Sequence, residues 1–366
     1  MPASTPVLLL VRELNLGGSE RQLAEMAMSL DRSQFDVRVG CFHAVGLRYE
    51  ELRTAGVPIV EFPVPSLASV KGALRIAAYI REQGIRLVHT FDTPANLYGV
   101  PAARMAGTAR VVSSQRADRA LMPPLYRHGL RITDHLVDAI VVNCGFVRCH
   151  MLEEEKVPAG LIHLCYNGID TSVFRCVRGA RPPALQDASL VVGVVCALRP
   201  EKGLETLLDA FASIRGLEPC VKLVLVGSGP CLADLRHRAR TLGILPDCLF
   251  EPATPQVADW LQAIDLFVLP SLSEALSNSL MEAMACGCCA VASHVGGNPE
   301  LVTHGETGML FQPRDTAGLA QTLRLLINDG ALRSKLASQA ACAVRSRFSR
   351  EASAERMGEI YTGLLS

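Results

Sequence analysis

The chain alternates short runs of β-branched and other apolar residues with longer amphipathic segments, and no other feature constrains its fold as strongly. Strands that alternate with helices form β-α-β units, which assemble into parallel sheets. The predicted strands of the first half are residues 7–12, 37–41, 59–62, 87–90, 111–113 and 139–143. Those of the second half are residues 190–198, 222–226, 249–251, 266–269 and 289–292. The predicted fold class is therefore α/β with parallel sheets.

The alternation is interrupted by a proline- and arginine-rich sequence, RGARPPALQD, that reads as a linker. A chain of 366 residues is also long enough for two domains, at roughly 150 residues each. We therefore expect two doubly wound, Rossmann-like domains, over residues 1–177 and 190–347, joined by a linker at 178–189. Residues 348–366 are expected to form a terminal helix. Open α/β sheets bind ligands outside the carboxyl ends of their strands, so two such domains would face a central cleft.

The composition argues against several classes of protein. The 36 lysines and arginines balance 36 acidic residues, whereas a generic nucleic-acid binder is usually basic. No stretch approaches about 18 uninterrupted apolar residues, so no membrane-spanning helix is expected. The N-terminus lacks the basic segment and long apolar run of a signal peptide. The 13 cysteines are scattered, mostly in apolar contexts, which fits reduced, buried thiols in a cytosolic protein. The C-x-x-C sequence at Cys286 and Cys289 lies at a predicted helix end and strand start, and this place favours small packed residues over a zinc or redox site.

A glycine-containing loop follows the first predicted strand. Gly17 and Gly18 allow a tight turn, and Ser19 with Gln22 fits a capping box that opens the next helix. The N-terminus of such a helix suits a phosphate or a hydroxyl-rich ligand. An ordinary β-α turn with a good cap would have the same sequence.

Two further motifs lie in the second half of the chain. The sequence GSGP from Gly227 allows a nucleotide to approach the backbone closely. Leu232 stands where a dinucleotide fingerprint needs a small residue, which argues against a nicotinamide-dependent enzyme. Arg199 and Lys202 follow a predicted strand and have the spacing to clamp a diphosphate. Taken alone, such a pair is more typical of solvated surface charges.

The richest motif is PSLSEALSNSLMEAMACG, after another apolar strand. Ser277, Asn278 and Ser279 are all N-cap residues, so a helix is predicted to begin here. Glu282 would lie in its first turn, and Glu274 in the preceding loop. A diphosphate at the helix N-terminus would leave both carboxylates for hydroxyl groups on either side of it. The alternatives are a capping box between Ser279 and Glu282, and a solvated loop position for Glu274.

The order P-S-x-S-E, seven intervening residues and E-A-M-A-x-G resembles the retaining family-four glycosyltransferases of GT-B fold. The resemblance covers nearly the whole chain. Its other motifs are GGSE at 17–20, NGID at 167–170, RPEKG at 199–203, VGSGP at 226–230, VGGNPE at 295–300 and HGETG at 304–308. The resemblance implies two Rossmann-like domains that face a cleft. The first would bind acceptor and the second donor, and the terminal helix would cross back to the first.

The resemblance also implies a role for each matching residue. Arg199 and Lys202 would hold the donor diphosphate and offset the charge on the departing nucleotide. Glu274 would contact hydroxyl groups of the transferred sugar, and Glu282 would hold the nucleotide ribose. The other donor-binding residues that it implies are Gly17, Gly18, Gly227, Ser277, Asn278, Ser279 and Leu280.

The activity that the resemblance implies is retaining transfer of a hexosyl or N-acetylhexosaminyl group. The donor would be a UDP- or GDP-sugar and the acceptor a glycan or a lipid-linked molecule, in polysaccharide or glycoconjugate biosynthesis. No metal cofactor is implied, and the chain contains no D-x-D sequence. The alternatives are another GT-B reaction, such as epimerisation of a sugar nucleotide or phosphorolysis, and a non-catalytic protein that binds sugar nucleotides.

The acceptor side departs from the family pattern. Family members often carry a histidine after the fifth strand, where this chain has Gln115 and Arg116. His89 follows the fourth strand and is either an acceptor contact or a satisfied histidine at a strand end. These three are the candidate acceptor-side residues.

An arginine-rich stretch lies between residues 104 and 131. It contains six arginines, one acidic residue, Asp118, and the apolar sequence LMPPLY. This composition suits an anionic membrane surface or a lipid-linked acceptor, so we expect peripheral association with the inner face of a membrane. The alternative is a solvated arginine-rich face.

Overall fold

The computed structural model describes residues 4–15, 17–64, 69–107, 109–177, 181–216 and 220–366. The chain forms two compact units, Met1–Gly168 with Arg350–Ser366, and Ile169–Ser349. Each unit contains one parallel sheet whose strands alternate with helices. The predicted α/β fold class is therefore confirmed.

Seven strands pair in parallel in the first unit. They are β1 (Thr5–Glu13), β2 (Phe35–His43), β3 (Ile59–Glu61), β4 (Leu87–Thr90), β5 (Arg110–Gln115), β6 (Ala139–Val142) and β7 (Ile162–Leu164). Their order across the sheet is β3-β2-β1-β4-β5-β6-β7. The helices are α1 (Gly18–Ser29), α2 (Leu47–Thr54), α3 (Val70–Glu82), α4 (Thr93–Ala106), α5 (Pro124–Asp134), α6 (Gly145–Glu153) and the terminal α14 (Arg350–Leu365). The order reverses between β1 and β4, which marks the switch point of a doubly wound sheet.

Six strands pair in parallel in the second unit. They are β8 (Leu190–Val195), β9 (Val221–Val226), β10 (Cys248–Glu251), β11 (Leu266–Leu269), β12 (Cys289–Ser293) and β13 (Met309–Phe311), in the order β10-β9-β8-β11-β12-β13. The helices are α7 (Leu204–Ser213), α8 (Leu232–Thr241), α9 (Val257–Ala263), α10 (Asn278–Ala285), α11 (Asn298–Leu301), α12 (Thr316–Asn328) and α13 (Gly330–Arg347). The switch point lies between β8 and β11, so the loops after these two strands are the expected ligand site of this unit.

Every predicted strand is present, and the structure adds two. Strands β7 and β13 are three residues long and lie at one edge of each sheet. A run that short has no measurable period. Of the three strands of this length, the sequence pattern predicts only β3. The inner strands β4, β8 and β11 are buried along their whole length. Helices on both faces of a parallel sheet explain the uninterrupted apolar sequences of β8 and β11.

The first unit ends at Gly168, where a buried glutamine holds the backbone. Nε2 of Gln22 donates to the carbonyl oxygen of Gly168 at 2.8 Å, and Oε1 accepts from its N–H at 2.9 Å. The next residue, Ile169, donates its N–H to the carbonyl oxygen of Phe348 at 3.0 Å, within the second unit. The chain re-enters the first unit at Arg350. The backbone of Gly168 is thus held by the first unit and that of Ile169 by the second, so the change of unit falls at the peptide bond between them.

The structure places this change before the expected linker at 178–189. Residues 178–180 lie outside the described part of the chain. From Arg181 onward the segment belongs to the second unit, where the guanidinium of Arg181 lies 2.6 Å from the carboxylate of Asp265 and Leu185 is buried. The described part of the proline-rich sequence is therefore anchored to the second unit by Arg181 and Leu185, whereas Pro183, Ala184, Gln186 and Asp187 are exposed.

Candidate active site

The loops after β8 and β11 bring Lys202 and Glu274 together in the second unit. Nζ of Lys202 lies 2.6 Å from Oε2 of Glu274, which also accepts from the hydroxyl of Ser271 at 3.1 Å. The two charged side chains are only 18% and 13% exposed. Burial acts against the charge of Lys202, but the Glu274 carboxylate outweighs it, and the net result is a raised pKa for the ammonium group.

Arg199 does not join this ion pair. Its side chain is 62% exposed, and its nearest carboxylate partner is Glu201, with Nη1 and Oε1 3.9 Å apart. A single 3-10 turn, Pro200–Lys202, follows β8. Arg199 is its N-cap and Lys202 is its last residue. The structure therefore places both cations in one turn after β8, with Lys202 buried against Glu274 and Arg199 in solvent.

Glycines hold the backbone around the pair in place. Gly203 has φ of 59° and Gly296 has φ of 54°, a region that side-chain-bearing residues avoid. A Cβ on Gly203 would also press on the carbonyl oxygen of Pro270, and one on Gly296 would overlap the carbonyl oxygen of Glu274. The chain passes so close at these points that a side chain would displace Glu274.

The GSGP loop uses its glycines for contact with the chain itself. A Cβ on Gly227 would overlap the carbonyl oxygen of Cys196, and one on Gly229 would overlap that of Leu198. The close backbone approach that the sequence pattern assigned to a nucleotide is thus made, at these two positions, to the loop that follows β8. Gly227 contributes to the site by fixing the segment that leads to Arg199.

Helix α10 begins where the cap residues predicted it. Ser277 is the N-cap, and its Oγ accepts the N–H of Leu280 at 3.3 Å. The alternative capping box between Ser279 and Glu282 does not form, because Ser279 already lies inside the helix. Glu282 stands in the second turn instead of the expected first turn and is 1% exposed. The N-terminus of α10, which carries a partial positive charge, begins at Asn278, shortly after Glu274 in the chain.

The first unit has a pocket of about 250 Å³ at the carboxyl ends of β1, β4 and β5. Gln115 and Arg116 lie in its wall, whereas Gly17, Gly18 and His89 do not. The lining residues are Arg12, Glu13, Ser19, Glu20, Phe91, Asp92, Thr93, Pro94, Ser114, Gln115, Arg116, Ala117 and Met122. Polar and charged side chains predominate, and these can donate hydrogen bonds to, and accept them from, the hydroxyl groups of a ligand.

The capping box predicted for α1 is wrong. The helix begins at Gly18 with Gly17 as N-cap, and no side chain caps it, because Ser19 is already a helical residue. Gln22 turns away to bind Gly168. The side chain of Glu20 folds over Gly17, where a Cβ would overlap its carboxylate.

His89 is 0% exposed and has partners at both ring nitrogens. Nδ1 lies 2.6 Å from the hydroxyl of Tyr361 on α14, and Nε2 lies 2.8 Å from the hydroxyl of Ser114 on β5. Burial and the nearby charge of Arg116 hold the pKa of His89 well below its ordinary value. The interpretation as a satisfied histidine at a strand end describes these surroundings, and it replaces the direct acceptor contact.

Gln115 is the centre of a buried polar cluster. Its Nε2 donates to the carbonyl oxygen of Ala117 at 2.8 Å, and its Oε1 accepts from Nε of Arg119 at 3.0 Å. The guanidinium of Arg119 also forms two bonds with the carboxylate of Asp134, at 2.6 and 2.9 Å. Neither Arg119 nor Asp134 stands in a motif, so no sequence pattern predicts that they shape this site.

Arg116 lies beside this cluster. Its Nη1 donates to Oδ1 of Asn167 at 2.6 Å, and its guanidinium lies over the ring of Phe91, 5.0 Å from the centroid. Burial lowers the pKa of Arg116 to about 10, so the group stays charged at neutral pH.

Most charges of the arginine-rich stretch are neutralised by carboxylates outside it. Arg104 and Arg110 both pair with Asp138, at 2.9 and 3.4 Å. Arg119 pairs with Asp134, and Arg131 pairs with Glu155 at 2.5 Å. The expected basic face is therefore much weaker than the count within the stretch suggests. Among the described residues, no helix has both the length and the apolarity needed to cross a bilayer.

The cysteines of the C-x-x-C sequence are packed in the second unit. Cys286 and Cys289 are buried, and burial raises the pKa of both thiols to about 12. Such thiols are poor nucleophiles and poor metal ligands at neutral pH. In the described ranges, no three His, Cys, Asp or Glu side chains form a group that would hold a metal ion.

Two family models match the two halves of the chain. The model for Glycosyltransferase Family 4 matches residues 16–173, and that for Glycosyl transferases group 1 matches residues 180–342. The GDP-mannose-dependent alpha-(1-6)-phosphatidylinositol monomannoside mannosyltransferase of Mycolicibacterium smegmatis is 30% identical over 285 residues, which cover 73% of this chain and 72% of that protein. The chain belongs to the family-four glycosyltransferases. The predicted family is therefore confirmed.

Another relative and a solved structure are also similar to this family-four glycosyltransferase. The N-acetyl-alpha-D-glucosaminyl L-malate synthase of Bacillus anthracis is 30% identical over 207 residues, or 56% of this chain and 54% of that protein. The chain spans 51% to 66% of the length of three such relatives. The crystal structure of Anabaena HepE in complex with UDP has a TM-score of 0.85 at 22% identity and covers 98% of this chain and 100% of that one. This similarity confirms the GT-B fold of two Rossmann-like domains.

Proposed function

We propose that this family-four glycosyltransferase transfers a hexosyl or N-acetylhexosaminyl group, with retention, from a UDP- or GDP-sugar to a glycan or lipid-linked acceptor. The product would enter a polysaccharide or glycoconjugate. The observation that carries the proposal is the partly buried ion pair of Lys202 and Glu274 at the switch point of the second sheet, in the loops that follow β8 and β11.

The charges of this pair fit the demands of glycosyl transfer. Negative charge develops on the departing diphosphate and positive charge at the anomeric carbon. Lys202 would stabilise the diphosphate, with Arg199 as a second cation from the same turn. Glu274 would exchange its bond to Lys202 for hydroxyl groups of the transferred sugar. Glu282 would hold the ribose, and the N-terminal residues of α10 would contact the phosphates, namely Ser277, Asn278, Ser279 and Leu280.

The ion pair is tested by two alanine variants and two matched controls. Lys202→Ala and Glu274→Ala should each abolish transfer while the protein stays folded. Lys222→Ala removes an ammonium group that pairs with Asp247, and Glu205→Ala removes an exposed carboxylate of α7. Both controls lie in the second unit outside the proposed site and should keep full activity. Full activity in either site variant would remove that residue from the mechanism.

The donor is identified by a calorimetric screen of UDP-, GDP- and ADP-sugars. Product analysis with and without acceptor then separates transfer from epimerisation and phosphorolysis. Donor binding without turnover of any acceptor would instead support a non-catalytic sugar-nucleotide-binding protein.

We propose that no metal cofactor takes part. Arg199 and Lys202 would supply the positive charge that a divalent cation offers to a diphosphate in other enzymes. Transfer should then persist in EDTA. Loss of turnover in EDTA that Mg²⁺ or Mn²⁺ restores would contradict this.

The first unit would bind the acceptor, with the pocket beside Gln115 and Arg116 as its site. A lipid-linked acceptor implies a membrane, and we propose that α5 meets its inner face. Leu125 is 80% exposed and Ile132 is 53% exposed, and residues seven apart share one face of a helix. Flotation with anionic liposomes should recover the protein, and a Leu125→Ser, Ile132→Ser variant should stay behind. Equal recovery with neutral lipids, or none, would contradict this placement.

A further inference from the structure

The pocket of the first unit is lined by charges of both signs. Arg12, Arg116, Glu20 and Asp92 all line it, and we call Glu20 and Asp92 its acidic wall. The charge of Arg12 acts on both of these carboxyl groups, whereas neither of them is among the groups that act on Arg116. A ligand in this pocket therefore meets carboxyl groups that have a cation beside them and, apart from these, the guanidinium of Arg116.

The charge of Arg116 is not offset by a carboxylate in the described part of the chain. Asn167 accepts one of its bonds and Phe91 covers one face, but both are neutral. Its buried Nε has no hydrogen-bond partner among the described residues. Cys165 and Tyr361 lie nearby, but burial raises the pKa of both groups, so they are neutral at pH 7 and supply no countercharge. A buried guanidinium with unused donors is costly unless an anion completes it.

The acidic wall suits hydroxyl groups. The carboxylate of Asp92 accepts the N–H groups of Arg12 and Ala95, at 2.9 and 2.7 Å. Burial raises the pKa of Asp92 to about 6 and also raises the pKa of Glu20. Carboxyl groups placed in this way repel a second anion and accept bonds from hydroxyl groups. An anionic group on the ligand is thereby directed to Arg116.

We propose that this pocket selects an acidic acceptor, a polyhydroxyl unit whose carboxylate or phosphate pairs with Arg116 while its hydroxyl groups bond to Glu20 and Asp92. The inference rests on the proposed function in one respect, that the ligand is the acceptor. The volume of about 250 Å³ lies below the range of about 300–1,000 Å³ that is typical of drug-sized ligands. The bound unit is therefore small, of the order of one sugar ring.

The first test compares three probes on the whole chain without donor. Glucuronate carries a carboxylate, glucose 6-phosphate carries a phosphate, and glucose is the neutral match for both. Calorimetric or NMR titration should give a dissociation constant for at least one acid that is roughly tenfold or more below that of glucose, as a charge-assisted bond to a buried guanidinium requires. The two acidic probes distinguish a carboxylate from a phosphate ligand.

The second test changes the cation. Arg116→Gln should remove the preference for the acid, and Arg116→Lys should reduce it, since lysine keeps the charge but loses the planar fork. Arg110→Gln removes the same charge from an exposed position outside the pocket and should change nothing. Thermal unfolding checks that each variant folds. If Arg116→Gln does not fold, the wild-type probes and Arg116→Lys decide the question.

Several results would overturn the assignment. These are equal binding of glucose and both acids, no binding of either acid, or an acid preference that survives Arg116→Gln. The proposed function fails separately. An Arg116-dependent preference without any detectable transfer would refute the function but keep the anion site. Transfer to neutral acceptors with no preference for acids would refute the anion site alone.

Discussion

The two sheets have corresponding strand orders, but the loops at their carboxyl edges are held in place in different ways. In the second unit, backbone contacts that only glycine permits, such as that of Gly296, fix the loops, and Lys202 and Glu274 neutralise each other. In the first unit, side chains fix the loops, as Arg119 does, and Arg116 has no carboxylate partner among the described residues. One edge therefore resists change in its backbone, and the other depends on buried charge.

This difference has a consequence for binding. A diphosphate and sugar in the second unit would have to replace an existing ion pair, which favours a ligand that supplies both an anion and hydroxyl groups. A ligand in the first unit would complete a cation that the protein leaves unpaired. The proposed donor and acceptor sites thus differ in whether binding exchanges or adds a charge interaction.

The largest expected effect on stability comes from the buried side-chain cluster of the first unit. Arg119→Met should lower the free energy of unfolding by about 3–5 kcal/mol, because it leaves the carboxylate of Asp134 buried without its cation. The two side chains are only 2% and 8% exposed. The matched control is Arg53→Met, whose partner Glu50 is 57% exposed and free to be hydrated. Urea unfolding of both variants measures the difference. A similar loss in the two would show that this edge does not depend on buried charge.

The second expected effect tests the backbone of the other unit. Gly296→Ala should cost about 2–4 kcal/mol, from the strained φ and from overlap with the carbonyl oxygen of Glu274. Gly305→Ala is the control, since Gly305 has φ of 79° but no heavy atom within 4 Å of the added Cβ. It should cost only the conformational term of about 1–2 kcal/mol. Equal losses would mean that the close approach to Glu274 is unimportant.

The two edges also differ in how far the sequence reveals them. The proposed site of the second unit lies in contiguous motifs, so their resemblance to a family is enough to make Lys202 and Glu274 candidates. The first site depends on pairs that no local pattern joins. His89 meets Tyr361 across 272 positions of the chain, and Arg116 meets Asn167 across 51.

The arginine-rich stretch is misleading for the same physical reason. Counted within residues 104–131 it is strongly basic, but its carboxylate partners begin only at Asp134. In the fold these partners lie on neighbouring elements, but in the sequence they lie beyond residues 104–131. Alternation of strands and helices, by contrast, is a local property, and it predicts every strand except β7 and β13, two of the three edge strands that are only three residues long.

The smallest expected effect is a pH dependence at the acidic wall of the first pocket. Burial raises the pKa of Asp92 from 3.8 to about 6. Between these values the folded chain holds a proton that the unfolded chain has lost, so the contribution of Asp92 to stability falls as the pH rises toward 6 and is constant above it.

Relative to Asp92→Asn, the wild type should gain about 2 kcal/mol between pH 7 and pH 4.5. Asp31→Asn is the control, because bonds from Ser33 lower the pKa of Asp31 below its ordinary value of 3.8, so its contribution is lost only at lower pH and its slope between pH 7 and pH 4.5 should match that of the wild type. Thermal unfolding of the three proteins across this range measures the slopes. Parallel slopes for the wild type and Asp92→Asn would show that Asp92 is hydrated and that the acidic wall is not desolvated.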